Sequence, residues 1–238
     1  MTQVDIHRAD SRGHADHGWL ETYHSFSFAQ YYNPDRVHFG ALRVLNDDKV
    51  AGGRGFGRHH HDNMEIISIP LEGGLLHADS MGNEHVIRKN DIQVMSAGSG
   101  IFHAEKNVSS TDPVEFLQIW VLPNKRDVEP RYDQITLNAD DRKNRWQQIL
   151  SPDQSGAGVW IYQETWFSLG DFEPGSSGTY ELHSPNSGVY LFVLEGRIQF
   201  GDIQLGRRDA LALTGVNQVD LASEKNSELL LIETKMSI

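Results

Sequence analysis

The sequence contains no cysteine among its 238 residues. Disulfide bonds, thiolate metal ligands and cysteine nucleophiles are therefore excluded together. A metal ion bound by this chain must be held by nitrogen and oxygen atoms, which favours histidine and carboxylate ligands. The chain has 12 histidines that can supply the nitrogen.

Basic residues are also scarce, because 21 Lys and Arg face 33 Asp and Glu and give a formal net charge of -12. Such a surface repels a phosphate backbone, so direct nucleic-acid binding is not expected. No stretch approaches the roughly 20 apolar residues needed to cross a bilayer. The first residues, MTQVDIHRAD, also lack the charged-then-apolar layout of a signal peptide. We expect a cytoplasmic protein without membrane contact.

Short apolar stretches between turn residues make up much of the chain. They are rich in Val, Ile, Leu and Phe, and glycine or Asn/Asp clusters separate them. This spacing is typical of antiparallel sandwiches and barrels, so it predicts an all-β fold. The stretches are FGALRVL, MEIISIPL, HVIRKNDIQVMSA, EFLQIWVLP, GVYLFVLEGRIQF and ELLLIET.

A polar region at about 125–158 separates two strand-rich halves and predicts two domains, residues 1–135 and 136–238. Within it, Asp140 to Leu150 has the acidic start and apolar spacing of a short amphipathic helix. The two halves also share a weak echo, since IISIPLEGG followed by NDIQVMSAG resembles YLFVLEGRI followed by RRDALALTG. The echo suggests that one β fold was duplicated.

Two pairs of potential metal ligands have the spacing of a β-strand. In a strand, alternate side chains share a face, so His59 and His61 point the same way and His60 points away. The same period places His103 beside Glu105. Two neighbouring strands would bring these four side chains to one metal ion, and the ligand set suits Fe, Ni, Co, Cu, Mn or Zn. Such a site leaves one or two coordination positions for water, substrate or dioxygen.

The remaining histidines do not form a comparable pattern. His77 and His85 lie beside turn residues and are predicted at the end of a hairpin. His183 is the single histidine of the second half, so no metal site is expected there. Five residues that flank the ligands are expected to pack in the core and not to contact a substrate: Phe56, Met64, Met95, Phe116 and Gln118.

Longer segments resemble the pirin family, and in particular its bacterial quercetinase-like members. They include TYHSFSFAQYY, FGALRVLNDD, HHHDNMEIIS, LEGGLLHADSMGN, MSAGSGIFHAE and QIWVLP, within a nearly continuous match from about Trp19 to Arg131. The resemblance implies two cupin barrels of the double-stranded β-helix (jelly-roll) type in a bicupin arrangement, with few short helices. The second cupin would be degenerate. Two departures, His60 and Gly98, stand where the family or the cupin motif often has proline, and neither removes a ligand.

The fourth metal ligand has two candidates. The general cupin pattern, with a carboxylate four residues after the histidine pair, selects Glu65. The pirin pattern selects Glu105, which we favour because the local sequence GIFHAE is pirin-like. Glu65 is then expected to orient a ligand histidine through a hydrogen bond or to face solvent.

The function that the resemblance implies is a metal-dependent quercetin 2,3-dioxygenase, which opens the flavonol ring with O2 and releases carbon monoxide. Its metal would be Fe(II) held by His59, His61, His103 and Glu105, with Glu105 as the catalytic proton acceptor and the protein a monomer. The alternative is a non-enzymatic regulatory pirin whose metal tunes a protein-binding surface, as in a transcription cofactor or a partner of metabolic enzymes. A non-oxidative cupin such as a sugar isomerase is a third class, and independence from oxygen would identify it.

Overall fold

Nearly all of the regular structure is β-strand in the computed structural model, which describes residues 2–237. Within that range the helices are two short 3-10 turns, Ala9–Ser11 and Ala139–Arg142. Neither has the length or apolar character needed to cross a bilayer. The predicted all-β fold is confirmed.

The first half contributes strands β2 to β12, together with β1 at its start. Their bounds are β1 Gln3–His7, β2 Gly13–Asp16, β3 Leu20–His24, β4 Leu42–Val50, β5 Gly55–His61, β6 Glu65–Glu72, β7 Gly74–Asp79, β8 Glu84–Arg88, β9 Asp91–Ser96, β10 Ile101–Asn107, β11 Val114–Val121 and β12 Arg131–Thr136. A seven-stranded sheet in the order β12-β9-β6-β11-β4-β3-β2 faces a four-stranded sheet in the order β5-β10-β7-β8. Together these two sheets form the first barrel.

The second half forms a second barrel from the same pattern. Its strands are β13 Trp146–Ser151, β14 Val159–Trp160, β15 Thr165–Phe172, β16 Ser177–Glu181, β17 Ser187–Glu195, β18 Arg197–Phe200, β19 Ile203–Gly206, β20 Ala210–Thr214, β21 Gln218–Ser223 and β22 Ser227–Lys235. The larger sheet runs β1-β20-β17-β22-β15-β13-β14 and the smaller one β16-β21-β18-β19.

The sequence echo falls on strands with corresponding positions in the two barrels. The first segment of each pair forms β6 or β17, and the second forms β9 or β20, at matching places in the two larger sheets. After each first strand the chain turns through a glycine with positive φ, 78° at Gly73 and 91° at Gly196, a conformation that glycine adopts without steric cost. This correspondence supports the duplication that the echo suggested.

The two larger sheets pack face to face and create the central core of the molecule. Ile67 and Leu117 of the first sheet join Phe167, Phe192 and Leu230 of the second in one buried cluster. Burial of apolar area between two twisted sheets is the main stabilising contribution in such an arrangement. Central strands of the larger sheets, such as β6 and β17, are therefore buried on both faces.

The amphipathic helix predicted for Asp140 to Leu150 is wrong. Only the 3-10 turn forms at its start, capped by Asn138, whose side chain accepts a hydrogen bond from the backbone N–H of Asp140. Strand β13 then begins at Trp146 and pairs antiparallel with β15. Ladder hydrogen bonds to the sheet edge and burial of Ile149 outweigh the weak helical periodicity.

The first residues of the chain add to the sheet of the other half. Strand β1 pairs antiparallel with β20, with His7 opposite Ala210, so the chain starts in the second barrel and then builds the first. Strand β12, at the opposite limit of the first half, pairs with β9 up to Thr136. The domain boundary between residues 135 and 136 stays a prediction. Strand β1 precedes this boundary but belongs to a sheet whose other strands follow it.

Candidate metal centre

Three of the four predicted ligands converge on the inner face of the first barrel. Strand β5 carries His59 and His61, and β10 carries His103, which lies directly opposite His59 in the antiparallel register. The Nε2 atoms of His59 and His103 are 3.0 Å apart, and one ring nitrogen from each of the three histidines lies within 4.8 Å of the others. Such a set can surround a single ion at the 2.0–2.1 Å distance usual for zinc and imidazole nitrogen. His60 points outward and is exposed, as predicted.

Two of the three histidines, His61 and His103, have lowered pKa values and present unprotonated nitrogen at neutral pH. Burial, and then the neighbouring His59 and His60, lower the pKa of His61 to about 4. Burial and the neighbouring imidazoles lower the pKa of His103 to about 2. The Nδ1–H of His59 donates to the carbonyl of Gly57 at 2.8 Å, which leaves Nε2 free as a ligand. Neutral imidazoles with free nitrogen atoms are the form that metals bind.

Glu105 is buried on the same face, but its carboxylate is held by protein donors. Ser68 Oγ lies 3.2 Å from one oxygen, and Gln118 Nε2 donates to the other at 2.8 Å. A bulge in the β10–β5 pairing between His103 and Glu105 changes the register there. Glu105 forms a second group with His103 and His77, in which one donor atom from each residue lies within 4.8 Å of the others. Metal ligation by Glu105 therefore stays a prediction.

Burial raises the pKa of Glu105 to about 7, although the hydrogen bonds from Ser68 and Gln118 oppose this rise and the charge of Asp48 adds to it. Removal of water from around a carboxylate disfavours its ionised form. A carboxyl group with a pKa near neutrality exchanges a proton readily at physiological pH. Glu105 thus has the chemistry of a proton acceptor within reach of the histidines.

Glu65 has neither of its two predicted roles. Its side chain is 1% exposed and accepts a hydrogen bond from Ser96 Oγ at 2.6 Å, so it neither faces solvent nor contacts a histidine. Glu65 alternates with Ile66 on β6 and shares the face of Ile67, which packs in the core between the barrels. Burial raises its pKa to about 7, against the hydrogen bond from Ser96 and the charge of Arg131.

His77 was not identified as a site residue from the sequence. It lies in the hairpin formed by β7 and β8, as predicted, but its side chain is fully buried and reaches the centre of the barrel. Its Nδ1 lies 3.5 Å from Nδ1 of His103, and its Nε2 lies 3.1 Å from Asp79 Oδ2. The i, i+2 spacing of His77 and Asp79, similar to that of the predicted ligands, was the available signal.

A row of buried polar side chains crosses the larger sheet beneath Glu105. In register on five neighbouring strands, this polar row consists of Gln93, Ser68, Gln118, Asn46 and His24. Ser68 Oγ bonds Gln118 Oε1 at 2.9 Å, and His24 Nδ1 bonds Asn46 Oδ1 at 2.8 Å. Buried polar groups contribute little net stability even when they are paired. Their concentration at this position indicates a functional site.

A cavity of about 720 Å³ opens beside the histidines, within the size range of small-molecule sites. His59, His61 and Glu105 form part of its wall. Gln118 lines it, contrary to the expectation of core packing, and Phe56 both lines it and packs against an apolar cluster. Met95 and Phe116 are fully buried in apolar clusters, and Met64 packs against one of them, as expected. Aromatic rings supply much of the remaining wall: Trp19, Phe28, Tyr31 and Trp120.

Two barrels joined through their larger sheets, with three converging histidines in the first, define a bicupin with a candidate centre for a divalent metal. Residues 5–121 match the family described as Pirin, and residues 148–234 match the one described as Quercetinase C-terminal cupin domain. The chain belongs to the pirin family.

Relatives of similar length support the same assignment. The protein named Quercetin 2,3-dioxygenase from Escherichia coli (strain K12) is 37% identical over 234 residues, covering 97% of this chain and 98% of that protein. The Pirin-like protein of Caulobacter vibrioides is 34% identical over 231 residues, covering 97% and 99%. The crystal structure of the bacterial pirin YhhW from Escherichia coli in complex with nickel(II) has a TM-score of 0.92 at 34% identity, covering 98% of this chain and 99% of that one. The chain is thus a quercetin 2,3-dioxygenase-like pirin, similar to oxidoreductases.

Proposed function

We propose that this pirin is a metal-dependent flavonol 2,3-dioxygenase that acts on quercetin or a related flavonol. The observation that carries the proposal is the convergence of His59, His61 and His103 beside the buried carboxyl group of Glu105, next to an aromatic cavity of about 720 Å³. Both atoms of O2 enter the product, the two ring bonds at C3 break, and C3 leaves with its oxygen as carbon monoxide. The O2 is thereby reduced, and the two flanking carbons are oxidised to the carboxyl level.

The residues present fit a divalent transition metal. His59, His61 and His103 would hold it through nitrogen, and Glu105 would serve as the fourth ligand. Fe(II) is the proposed ion, with Ni, Co, Cu, Mn and Zn also compatible with this nitrogen and oxygen set. When bound, the metal acts as a Lewis acid that polarises the adjacent carbonyl and hydroxyl oxygens of a flavonol and favours its deprotonated form.

Glu105 would accept the proton of the flavonol 3-hydroxyl group. Its pKa of about 7 makes both protonation states accessible at neutral pH. Ser68 and Gln118 hold the carboxylate in position, so that it would change from ligand to base without a large rotation. The proton would then return to the carboxylate of the ring-opened product.

The aromatic wall suits a flat polycyclic substrate. The ring of Trp120 packs edge-on against His61 with a centroid distance of 5.0 Å, and Trp19 packs against Phe56 at 5.4 Å. Such rings exclude water and orient an aromatic ligand by stacking. We further propose that the protein acts as a monomer.

The test is aerobic incubation of the full-length, metal-loaded protein with quercetin. Loss of the flavonol absorbance together with release of one carbon monoxide per flavonol is expected, and exclusion of oxygen should stop both. Separate loading with Fe, Ni, Co, Cu and Mn identifies the active metal. Absence of turnover with all five ions would contradict the proposal and favour the regulatory class of pirin.

A further inference from the structure

Asp79 is a buried carboxylate held by the turn of the β7–β8 hairpin. Its Oδ1 accepts from the backbone N–H groups of Met81 at 2.9 Å and Asn83 at 3.1 Å. Its Oδ2 accepts from Asn83 Nδ2 at 2.9 Å and lies 3.1 Å from Nε2 of His77. Burial alone would raise the pKa of Asp79, but the hydrogen bonds from Asn83, His77 and Met81 outweigh it and lower the pKa. Asp79 is therefore ionised at neutral pH and acts only as an acceptor.

The position of Asp79 determines which nitrogen of His77 carries the proton. Because Asp79 has no proton to give, Nε2 of His77 must be the donor in their hydrogen bond. With its proton on Nε2, the His77 ring presents Nδ1 as a hydrogen-bond acceptor. The amide nitrogen of Gln93, 3.1 Å from this Nδ1, is placed to donate to it.

The same reasoning extends to the ligand histidine. Nδ1 of His103 faces Nδ1 of His77 at 3.5 Å, and two lone pairs at that distance would repel each other. The proton of His103 therefore belongs on Nδ1, where it points at His77. Nε2 of His103 then carries a lone pair 3.0 Å from Nε2 of His59, and a cation bound by both nitrogens would relieve the repulsion between them. We propose that Asp79, acting through His77, fixes the tautomer and orientation of His103 and so prepares it to bind the metal.

The contacts of His77 favour this positioning role over a second metal site. His77 belongs to a potential ligand group with His103 and Glu105. However, Nε2 of His77 is already bonded to Asp79 and its Nδ1 faces two donors. A chain of hydrogen bonds from the hairpin turn to the metal ligand accounts for these contacts together.

Nitrogen-15 NMR of the metal-free, full-length protein tests the proposal directly. We expect the His103 ring to be protonated on Nδ1 and the His77 ring on Nε2. In Asp79→Asn, we expect the His77 ring to lose its single tautomer. Protonation of His103 on Nε2 in the unsubstituted protein would overturn the proposal, and this measurement does not depend on metal binding.

Nickel(II) affinity, measured by competition with a chelator, provides the second readout. Loss of a partner behind a metal-bound histidine typically weakens binding on the order of 10–100-fold, and we expect this for Asp79→Asn and His77→Leu. His77→Gln should restore most of the affinity, because its amide nitrogen can donate to Asp79 while its oxygen accepts from His103. His85→Gln is the matched control, since His85 lies opposite His77 on β8 but is exposed.

The inference rests on the proposed metal centre, and the outcomes separate the two. No nickel binding by the unsubstituted protein would contradict the centre itself, while the NMR result would still decide the tautomer. Unchanged affinity in both Asp79→Asn and His77→Leu would overturn the positioning role. Binding of two nickel ions per chain, with one lost in His77→Leu, would also overturn it, because His77 would then be a ligand.

Discussion

The two barrels share one strand order but have opposite interiors. The interior of the second consists mainly of one apolar cluster, which includes Val189, Leu191, Leu211, Leu229 and Leu231. The interior of the first contains the polar row, the histidines and the buried carboxyl groups of Glu105, Asp48 and Asp79. The apolar residues of the first barrel are consequently divided into two smaller clusters on either side of the row.

This contrast separates stability from chemistry. Apolar packing like that of the second barrel contributes about 1.5–3 kcal/mol for each large side chain that is fully buried. In the first barrel, part of that contribution is absent because polar and titratable side chains, which can bind a metal or exchange protons, take the place of apolar ones. The first barrel retains its shape because its larger sheet is packed against that of the second barrel. The second barrel therefore supports a site that it does not itself form.

The largest effect is expected from removal of a ligand. His103→Ala should weaken nickel(II) binding by more than about 100-fold, which exceeds the loss typical of a residue behind a ligand, and should abolish quercetin turnover. His183→Ala is the control, because His183 is exposed in the second half. Isothermal titration with nickel(II) measures both. Equal binding by the two variants would mean that the histidines of the first barrel do not form the metal site.

The next effect concerns the buried carboxyl group of the site. Glu105→Gln should lower turnover by about 100-fold or more, because the amide cannot accept the flavonol proton. Glu233→Gln is the matched control, since Glu233 is buried in the second half, where it accepts hydrogen bonds from Tyr180 and from the backbone of His183. Full turnover by a metal-loaded Glu105→Gln protein would show that the proton goes elsewhere.

The stability of the first barrel should also depend on pH through a buried carboxyl group, Asp48. Burial raises the pKa of Asp48 to about 7, despite its hydrogen bond from Thr22. Between pH 4 and 7 the folded protein keeps a proton that the unfolded chain releases, so this contribution to stability is present at low pH and lost as the pH rises. Asp48→Asn should match the parent near pH 4 and exceed its unfolding free energy by about 4 kcal/mol at pH 8.

Urea denaturation at both pH values measures this difference, with Asp202→Asn, at an exposed turn of the second barrel, as the control. The control should show the same pH dependence as the parent protein. A gain for Asp48→Asn that is equal at pH 4 and pH 8 would show that the carboxyl group is not the cause.

The smallest effect on the metal site is expected from a substitution in the core of the second barrel. Leu231→Ala should lower the free energy of unfolding by about 3 kcal/mol, because it leaves a cavity in a fully buried cluster. Nickel(II) affinity at 25 °C should remain unchanged, since the ligands lie in the other barrel. A large loss of affinity in a folded Leu231→Ala protein would contradict the separation of stability from chemistry.

The strands and three of the candidate ligands could be predicted, because both depend on the alternation of side chains between the two faces of a strand. His59, His61 and His103 each lie in a short segment where exposed side chains alternate with less exposed ones. The polar row could not be found this way, because it is assembled by register across five strands of one sheet. The register between strands that are distant in sequence cannot be predicted from the residues of any one strand.

The errors also have physical causes. Strand β6 is buried on both faces, so its sequence shows no alternation that would place Glu65 on the side away from the histidines. The stretch from Asp140 to Leu150 has weak helical spacing, but its second half forms β13, which pairs with β15 at the edge of the sheet. Both cases depend on neighbours that are remote in sequence.

The pairing of β1 with β20 has a consequence for any attempt to divide this protein. A fragment that ends near residue 135 would keep β1 but lose the strand that satisfies its backbone hydrogen bonds. The complementary fragment would leave the β20 side of its sheet as an open template for another chain. Division of the chain near residue 135 should therefore yield two fragments that self-associate instead of two soluble domains.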